Sequence, residues 1–302
     1  MCTIGNAFYQ YNSAMYNSFF KQCDLPETTK FLMPALRQDS QSGIRYVAMT
    51  REKKEDGTVP AWAGVNEYGV SFVAADSYTD DKQSFMVDDG EFDGTTVFDM
   101  YLQTITQYKT AEAAAKFACD FYLTQFISPD IFMVGDASSS YFIEAHNGKV
   151  VCIKRENGSF ASTNHFRMVY GGVPFNRNHS TYLRLNRAEQ ILQTKPNLDG
   201  IGDVLRDGYF GKTVWSICRY ADNGGNSEEV EYYTQAAVIF NLTPKPNAKP
   251  DVVCEFVING NASTPNIGYR WRPFSGQPLQ KTDYIGRLRN LAEADSYEEE
   301  TV

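Results

Sequence analysis

Short apolar runs separated by polar clusters dominate the first half of the chain. "IRYVAM" at 44–49 is followed by the charged stretch "REKKEDGTVP", and "AWAGV" and "VSFVAA" flank "NEYG". The last arrangement predicts a hairpin around Gly69. "DIFMVGD", "SYFIEAH", "KVVCIKR" and "FASTNHF" then succeed one another with short Asp, Ser, Asn and Gly connections, which predicts a four-stranded antiparallel meander. "TVWSICRY", "TQAAVIF" and "VCEFVI" read as further strands.

Two helical blocks interrupt the strands. Apolar positions 97, 98, 101, 102, 105 and 108 recur at helical spacing, and a second helix is expected to start at a Thr110 cap with Ala114, Phe117 and Phe121 on one face. "STYLRLNRAEQIL" opens on Ser180 and carries Tyr182, Leu185, Ala188 and Leu192 along a stripe. Strands grouped around helices, without βαβ alternation, predict an α+β fold. Neither an internal repeat nor a low-complexity linker divides residues 1–302, which read as one domain with an acidic, frayed tail from about 290.

Composition narrows the function classes. With 28 Lys and Arg against 37 Asp and Glu, the formal charge is −9, and no basic cluster could track a phosphate backbone, so nucleic acid is not an expected partner. No apolar run approaches the roughly 18 residues a spanning helix needs, and no basic-then-apolar leader is visible, so no membrane partner is expected. Six cysteines (Cys2, Cys23, Cys119, Cys152, Cys218, Cys254) lie far apart without a C-x-x-C pair, which suits reduced thiols and a cytoplasmic location. The three histidines, His146, His165 and His179, lack helical ligand spacing, so neither a metal nor any other cofactor is expected.

The opening "MCTIGNAFYQ" raises a chemical question. Cys2 is either a small buried hydrophobe or, after loss of Met1, a nucleophile with its own base on the same residue. An α-amine titrates near 7.7–8.0 and a thiol near 8.5, so the amine can take the thiol proton at neutral pH with no histidine.

Taken in order, "MCT", "FFKQCD", "GVNEYGVSF", "VGDASSSYFIEA", "STNHF" and "VWSICRY" resemble the N-terminal nucleophile hydrolases, specifically the group of penicillin V acylase, bile salt (choloylglycine) hydrolase and related cysteine acyltransferases. The resemblance runs from residue 2 to about 240. It implies an αββα sandwich, two stacked antiparallel sheets between helix layers, with Cys2 as nucleophile. The family's Arg-Asn-x-Asp stretch reads here Lys21-Gln22-Cys23-Asp24, which implies that Asp24 orients the nucleophile and that Lys21 replaces an arginine, keeping the charge but losing the planar fork. An ordinary turn at "CDLPE" is the plainer reading. Asn164 in "STNHF" is implied as an oxyanion donor, or else bonds its own strand end. Arg219 in "SICRY" is implied beside Cys2, favouring the thiolate, or else caps a strand pair at the surface. Cys218 is expected in the core. Asp76 falls where the family supplies a main-chain oxyanion donor. Its carboxylate, set on the leaving-amine side, would disfavour an anionic leaving group such as taurine.

The function so implied is hydrolysis of a linear amide C–N bond in a small N-acyl compound through a Cys2 thioester. Acyl transfer on the same fold, dipeptidase activity and a catalytically dead small-molecule binder are the alternatives. Relatives of this kind often assemble as tetramers, so a homo-oligomer is implied.

Overall fold

The computed structural model describes residues 2–25, 30–53, 55, 57, 59–78, 97–172, 179–220 and 232–295. The chain opens with β1 (Cys2–Tyr11) and β2 (Ala14–Leu25), joined at Asn12 and Ser13, both with positive φ. Such a two-residue connection matches the twist of paired strands. There follow β3 (Arg37–Gln38), β4 (Arg45–Thr50), β5 (Ala61–Asn66) and β6 (Ser71–Asp76), then α1 (Val97–Gln107) and α2 (Ala111–Thr124). Next come β7 (Asp130–Gly135), β8 (Ser140–His146), β9 (Lys149–Arg155) and β10 (Ser159–Ser162), then α3 (Ser180–Thr194) and α4 (Leu198–Leu205). The chain closes with β11 (Tyr233–Thr243), β12 (Asp251–Ile258), β13 (Gly268–Trp271), β14 (Gln280–Thr282) and α5 (Leu288–Asp295).

The strands form two seven-stranded sheets, ordered β10-β1-β2-β11-β12-β13-β14 and β3-β4-β5-β6-β7-β8-β9, and every pair is antiparallel. Alternation along the strands builds three cores. Cys2, Ile4, Phe19, Cys23, Val238 and Phe240 of the first sheet pack with Val73, Ala75, Ile131 and Met133 of the second, so the sheets stack face to face. The opposite side of the first sheet (Ala7, Phe20, Ala237, Ile239) receives α3, α4 and α5. The opposite side of the second sheet (Phe72, Ala74, Phe132, Val134) receives α1 and α2. The result is the α+β, αββα layering expected.

Several elements follow the sequence pattern closely. Thr110 Oγ1 accepts from the Ala113 N–H, and Ala114 and Phe121 are buried beneath it. Gly69, with φ +80°, turns β5 into β6. Gly5 is required by close packing, since a Cβ there would collide with the Phe160 carbonyl oxygen and the Phe20 ring.

Other elements depart from it. Only β7, β8 and β9 form the meander, because β10 leaves that sheet and pairs with β1, Ile4 opposite Ser162. "TVWSICRY" is not a strand. Thr213 Oγ1 accepts from the Trp215 N–H and Ser216 Oγ from the Phe210 N–H, so hydroxyls turn the backbone away from a ladder. Cys218 is nonetheless fully buried. Residues 290–295 are not frayed but belong to α5, whose Leu291 and Ala294 are buried; 296–302 lie outside the described residues, as does part of "REKKEDGTVP".

Beneath α1 and α2 the second sheet holds a buried carboxyl. Tyr101 and Tyr122 both donate to Asp130 Oδ2, at 2.6 and 2.5 Å. Burial pushes the Asp130 carboxyl up to about 7, against the two phenols that hold it down, and Asp76, its cross-strand partner, adds to the rise. An unfolded Asp titrates near 3.9, so between these values the folded chain keeps a proton that the unfolded chain has lost. The contribution of this group to stability is therefore full below about pH 4 and is lost as pH rises through 7. Asp130→Asn is expected to flatten the pH dependence of urea unfolding between about pH 4.5 and 6.5 by about 1.4 kcal/mol per pH unit. An unchanged slope in the variant would assign that dependence to other carboxyls.

Candidate active site

Cys2 is the first residue of β1 and lies wholly inside the sandwich. β10 stops at Ser162, opposite Ile4, so the ladder on that side ends two residues short of Cys2. Side chains finish what the strand leaves. The Cys2 N–H donates to Asn164 Oδ1 at 2.9 Å, and the Cys2 carbonyl accepts from Arg184 Nη1 at 2.8 Å. Buried main-chain groups need such partners, and here they also fix the residue that carries the sulfur.

Across the hairpin, Cys23 stands opposite Cys2 and Lys21 opposite Ile4. The period-2 alternation of β2 turns Lys21 and Cys23 to the same inter-sheet side as Cys2. The fully buried Lys21 ammonium donates to Cys2 Sγ at 3.1 Å and to the Ala74 carbonyl of the opposite sheet, and it lies 5.4 Å from the centre of the Trp62 ring. The Cys2 thiol is held well below its ordinary range, first by a hydrogen bond from Cys23, then by the charges of Lys21 and the amino terminus, which together overcome burial. The Cys23 thiol is pushed well up by burial and by its donation to Cys2, and it keeps its proton. Burial works against the Lys21 charge, but the two neighbouring sulfurs raise its pKa above the ordinary lysine range. The arrangement sets the Cys2 sulfur between an ammonium and a thiol, both of which favour its thiolate form.

Asn164 is constrained on every side. Its N–H donates to Thr181 Oγ1 at 3.0 Å and its carbonyl accepts from Tyr78 N–H at 2.9 Å. Its Oδ1 accepts from Cys2 and, at 3.0 Å, from Arg184 Nη2, while its Nδ2 donates to the Asp76 carbonyl at 2.8 Å. One amide thus ties the start of β1 to the end of β6.

Asp24 follows Cys23, and alternation sends its carboxyl to the helix-facing side of the first sheet. There Thr234 Oγ1 donates to Oδ1 at 2.9 Å and Arg219 Nε lies 3.4 Å from Oδ2. Arg219 reaches on to Ser180 Oγ at 3.3 Å, at the start of α3. Burial raises the Asp24 carboxyl, countered chiefly by Arg219. Arg219 is wholly buried, so it is not a surface cap; it stands beside Asp24 and Ser180, and the ammonium that donates to Sγ is that of Lys21. Asp76 reaches the site through its main chain. Its carboxyl, directly across from Asp130 and in step with Phe72 and Ala74, stands at the end of β6, near enough to the Cys2 sulfur and the Lys21 ammonium to sense both charges. Burial, then the Cys2 charge, raises it.

Arg184 is the residue that sequence reasoning passed over. It is fully buried on α3, and besides Cys2 and Asn164 it donates to Thr3 Oγ1 at 3.2 Å. Its signal was positional: it lies four residues before Ala188 and beside Leu185, on the stripe that faces the sheet, where a charge needs a reason. His165 is no base. Burial, with the charges of Arg167 and Arg184, pushes it down to about 3, and its ring stacks 4.4 Å from Tyr182. Among the described residues no cluster of three or more His, Cys, Asp or Glu could hold a metal, and no helix is long and apolar enough to cross a membrane.

This layering coincides with that of solved proteins. A structure of conjugated bile acid hydrolase from Clostridium perfringens, with the cysteine at its position 2 replaced by alanine, superposes with a TM-score of 0.50 at 9% identity, covering 94% of this chain and 97% of its own. A second variant of that enzyme gives 0.51 at 9% identity, covering 94% and 98%. The fold is theirs. It is an αββα sandwich, two stacked antiparallel sheets between helix layers. No family model matches the chain, and no curated protein matches it.

Two outcomes test the geometry. Lys21→Met is expected to move the pH midpoint of Cys2 alkylation upward and to slow labelling at neutral pH several-fold; an unchanged midpoint would leave the ammonium without influence on the sulfur. Arg184→Leu strips partners from Cys2, Thr3 and Asn164 at once and is expected to cost about 3 kcal/mol in chemical unfolding. Arg184→Lys, lacking the fork, should recover only part of it.

Proposed function

We propose that the chain is a cysteine N-terminal nucleophile hydrolase that cleaves a linear amide C–N bond in a small N-acyl compound. The observation that carries this reading is the Cys2 sulfur, 3.1 Å from a buried ammonium, on a residue whose nitrogen is held by Asn164. A structural cysteine in an apolar core would instead keep its proton.

In this mechanism Met1 is removed, and the Cys2 nitrogen, seated on Asn164 Oδ1, becomes a free α-amine that takes the thiol proton to give α-ammonium and thiolate. The thiolate attacks the amide carbonyl. Negative charge on the carbonyl oxygen is received by the second N–H of Asn164 Nδ2 and by the Asp76 N–H. That N–H points to the same strand edge as the Asp76 carbonyl, which Asn164 already holds. A preorganised donor of this kind is typically worth about 3 kcal/mol in the transition state. The α-ammonium passes its proton to the leaving nitrogen, the C–N bond breaks, and a thioester remains on Cys2. Water then attacks the thioester, the amine takes its proton, and the carboxylic acid departs. Asp24, with Arg219 and Thr234, holds the end of β2 on which Lys21 and Cys23 are mounted. No cofactor enters any step.

Active protein should show an intact mass without Met1. Acid quenching during turnover of an N-acyl amide should trap the acyl group on the Cys2 peptide, and Cys2→Ala should abolish both adduct and products. Full activity with Met1 retained, or an adduct at another residue, would overturn the mechanism. Adding a primary amine to the same assay separates hydrolysis from acyl transfer: unchanged yield of free acid marks a hydrolase.

A further inference from the structure

The hydrolytic cycle uses one sulfur of a pair. Cys2 and Cys23 are direct cross-strand partners. A residue in a strand points its N–H and C=O to the same edge, and both groups of Cys2 are engaged by Asn164 and Arg184 on the β10 side. The Cys2–Cys23 pair is therefore a non-hydrogen-bonded pair, the kind with the shorter Cα separation of about 4.5 Å and the closer side chains. That separation falls within the roughly 4.4–6.8 Å that a disulfide spans. Both side chains face the same inter-sheet core.

We propose that Cys23 is a resolving thiol and that Cys2–Cys23 is a reversible oxidation site that switches the nucleophile off and shields it from irreversible damage. The oxidant class is a small hydroperoxide, which demands the least room at two fully buried sulfurs. The Cys2 thiolate attacks one peroxide oxygen, the O–O bond breaks, and an alkoxide or hydroxide leaves. Sulfur has then lost two electrons and stands as a sulfenic acid. The Cys23 sulfur attacks that sulfur, the S–O bond breaks, and the hydroxyl departs with the Cys23 proton as water. An added dithiol restores both thiols by exchange. The thiolate that this step needs is the one favoured by the Cys23 hydrogen bond and the Lys21 ammonium, so the group that resolves also activates.

A second neighbouring pair supplies an internal control. Cys119 on α2 is half-buried and donates to the exposed Cys152 on β9. The test is titration of the full chain with hydrogen peroxide, followed by non-reducing peptide mapping and intact mass. The expected result is a Cys2–Cys23 crosslink with loss of two hydrogens, reversed by dithiothreitol. In Cys23→Ser the same dose should drive Cys2 to sulfinic acid, which dithiothreitol does not reverse. A wild-type Cys2 that goes to sulfinic acid at the rate seen in Cys23→Ser would overturn the proposal, as would crosslinking confined to Cys119–Cys152. The readout is mass, so it stands or falls apart from the hydrolase reading.

Discussion

The Lys21 ammonium is the fixed point of the molecule. It sits fully buried between two sheets, and a buried charge survives only with matched partners. Its partners come from both layers: the Cys2 sulfur on its own sheet, the Ala74 carbonyl on the other, and the Trp62 ring from β5. Reaching them sets how the hairpin of β1 and β2 stands over β5 and β6. It also sets the state of the sulfur, because the nearest anion available to a buried lysine here is a thiolate. Stability of the sandwich at this point and reactivity of its first strand are consequences of one contact.

The same economy governs the strand end. β10 releases β1 at Ile4, and the unpaired main chain of Cys2 is completed by an asparagine and an arginine whose other contacts lead to β6 and α3. A backbone partner would have served folding equally well but would have closed the edge. Under the proposed hydrolysis, side-chain partners leave an N–H of Asn164 and the adjoining strand edge for the substrate, so incomplete pairing is what makes room for chemistry.

Where the pattern was local, the chain was readable. The Thr110 cap, the Gly69 hairpin and the apolar stripes of α1 and α2 each depend on residues a turn apart. Where the outcome depended on distant partners it was not. The run at 159–162 looks like a fourth meander strand, and its own residues carry nothing that tells β9 from β1 as a neighbour. The run at 213–220 has strand composition, yet its hydroxyls capture nearby main-chain groups. β13 and β14, four and three residues long, are too short to show a period. In the site, Cys2 and Asn164 were marked by motif, whereas Arg184 was masked by an otherwise ordinary amphipathic helix. The partner of Lys21 was equally hidden, since only the β1–β2 register places residue 21 diagonal to residue 2.

The central claim is that Cys2 is a thiolate at neutral pH, held so by Cys23 and Lys21. Ultraviolet absorbance of the thiolate, taken as the difference between wild type and Cys2→Ser across a pH titration, tests it without substrate or label. The account predicts a difference already fully present at pH 7 and lost only in acid, well below the ordinary thiol value of about 8.5. A difference that develops only as the pH rises through about 8 to 9 would show a neutral thiol and contradict it.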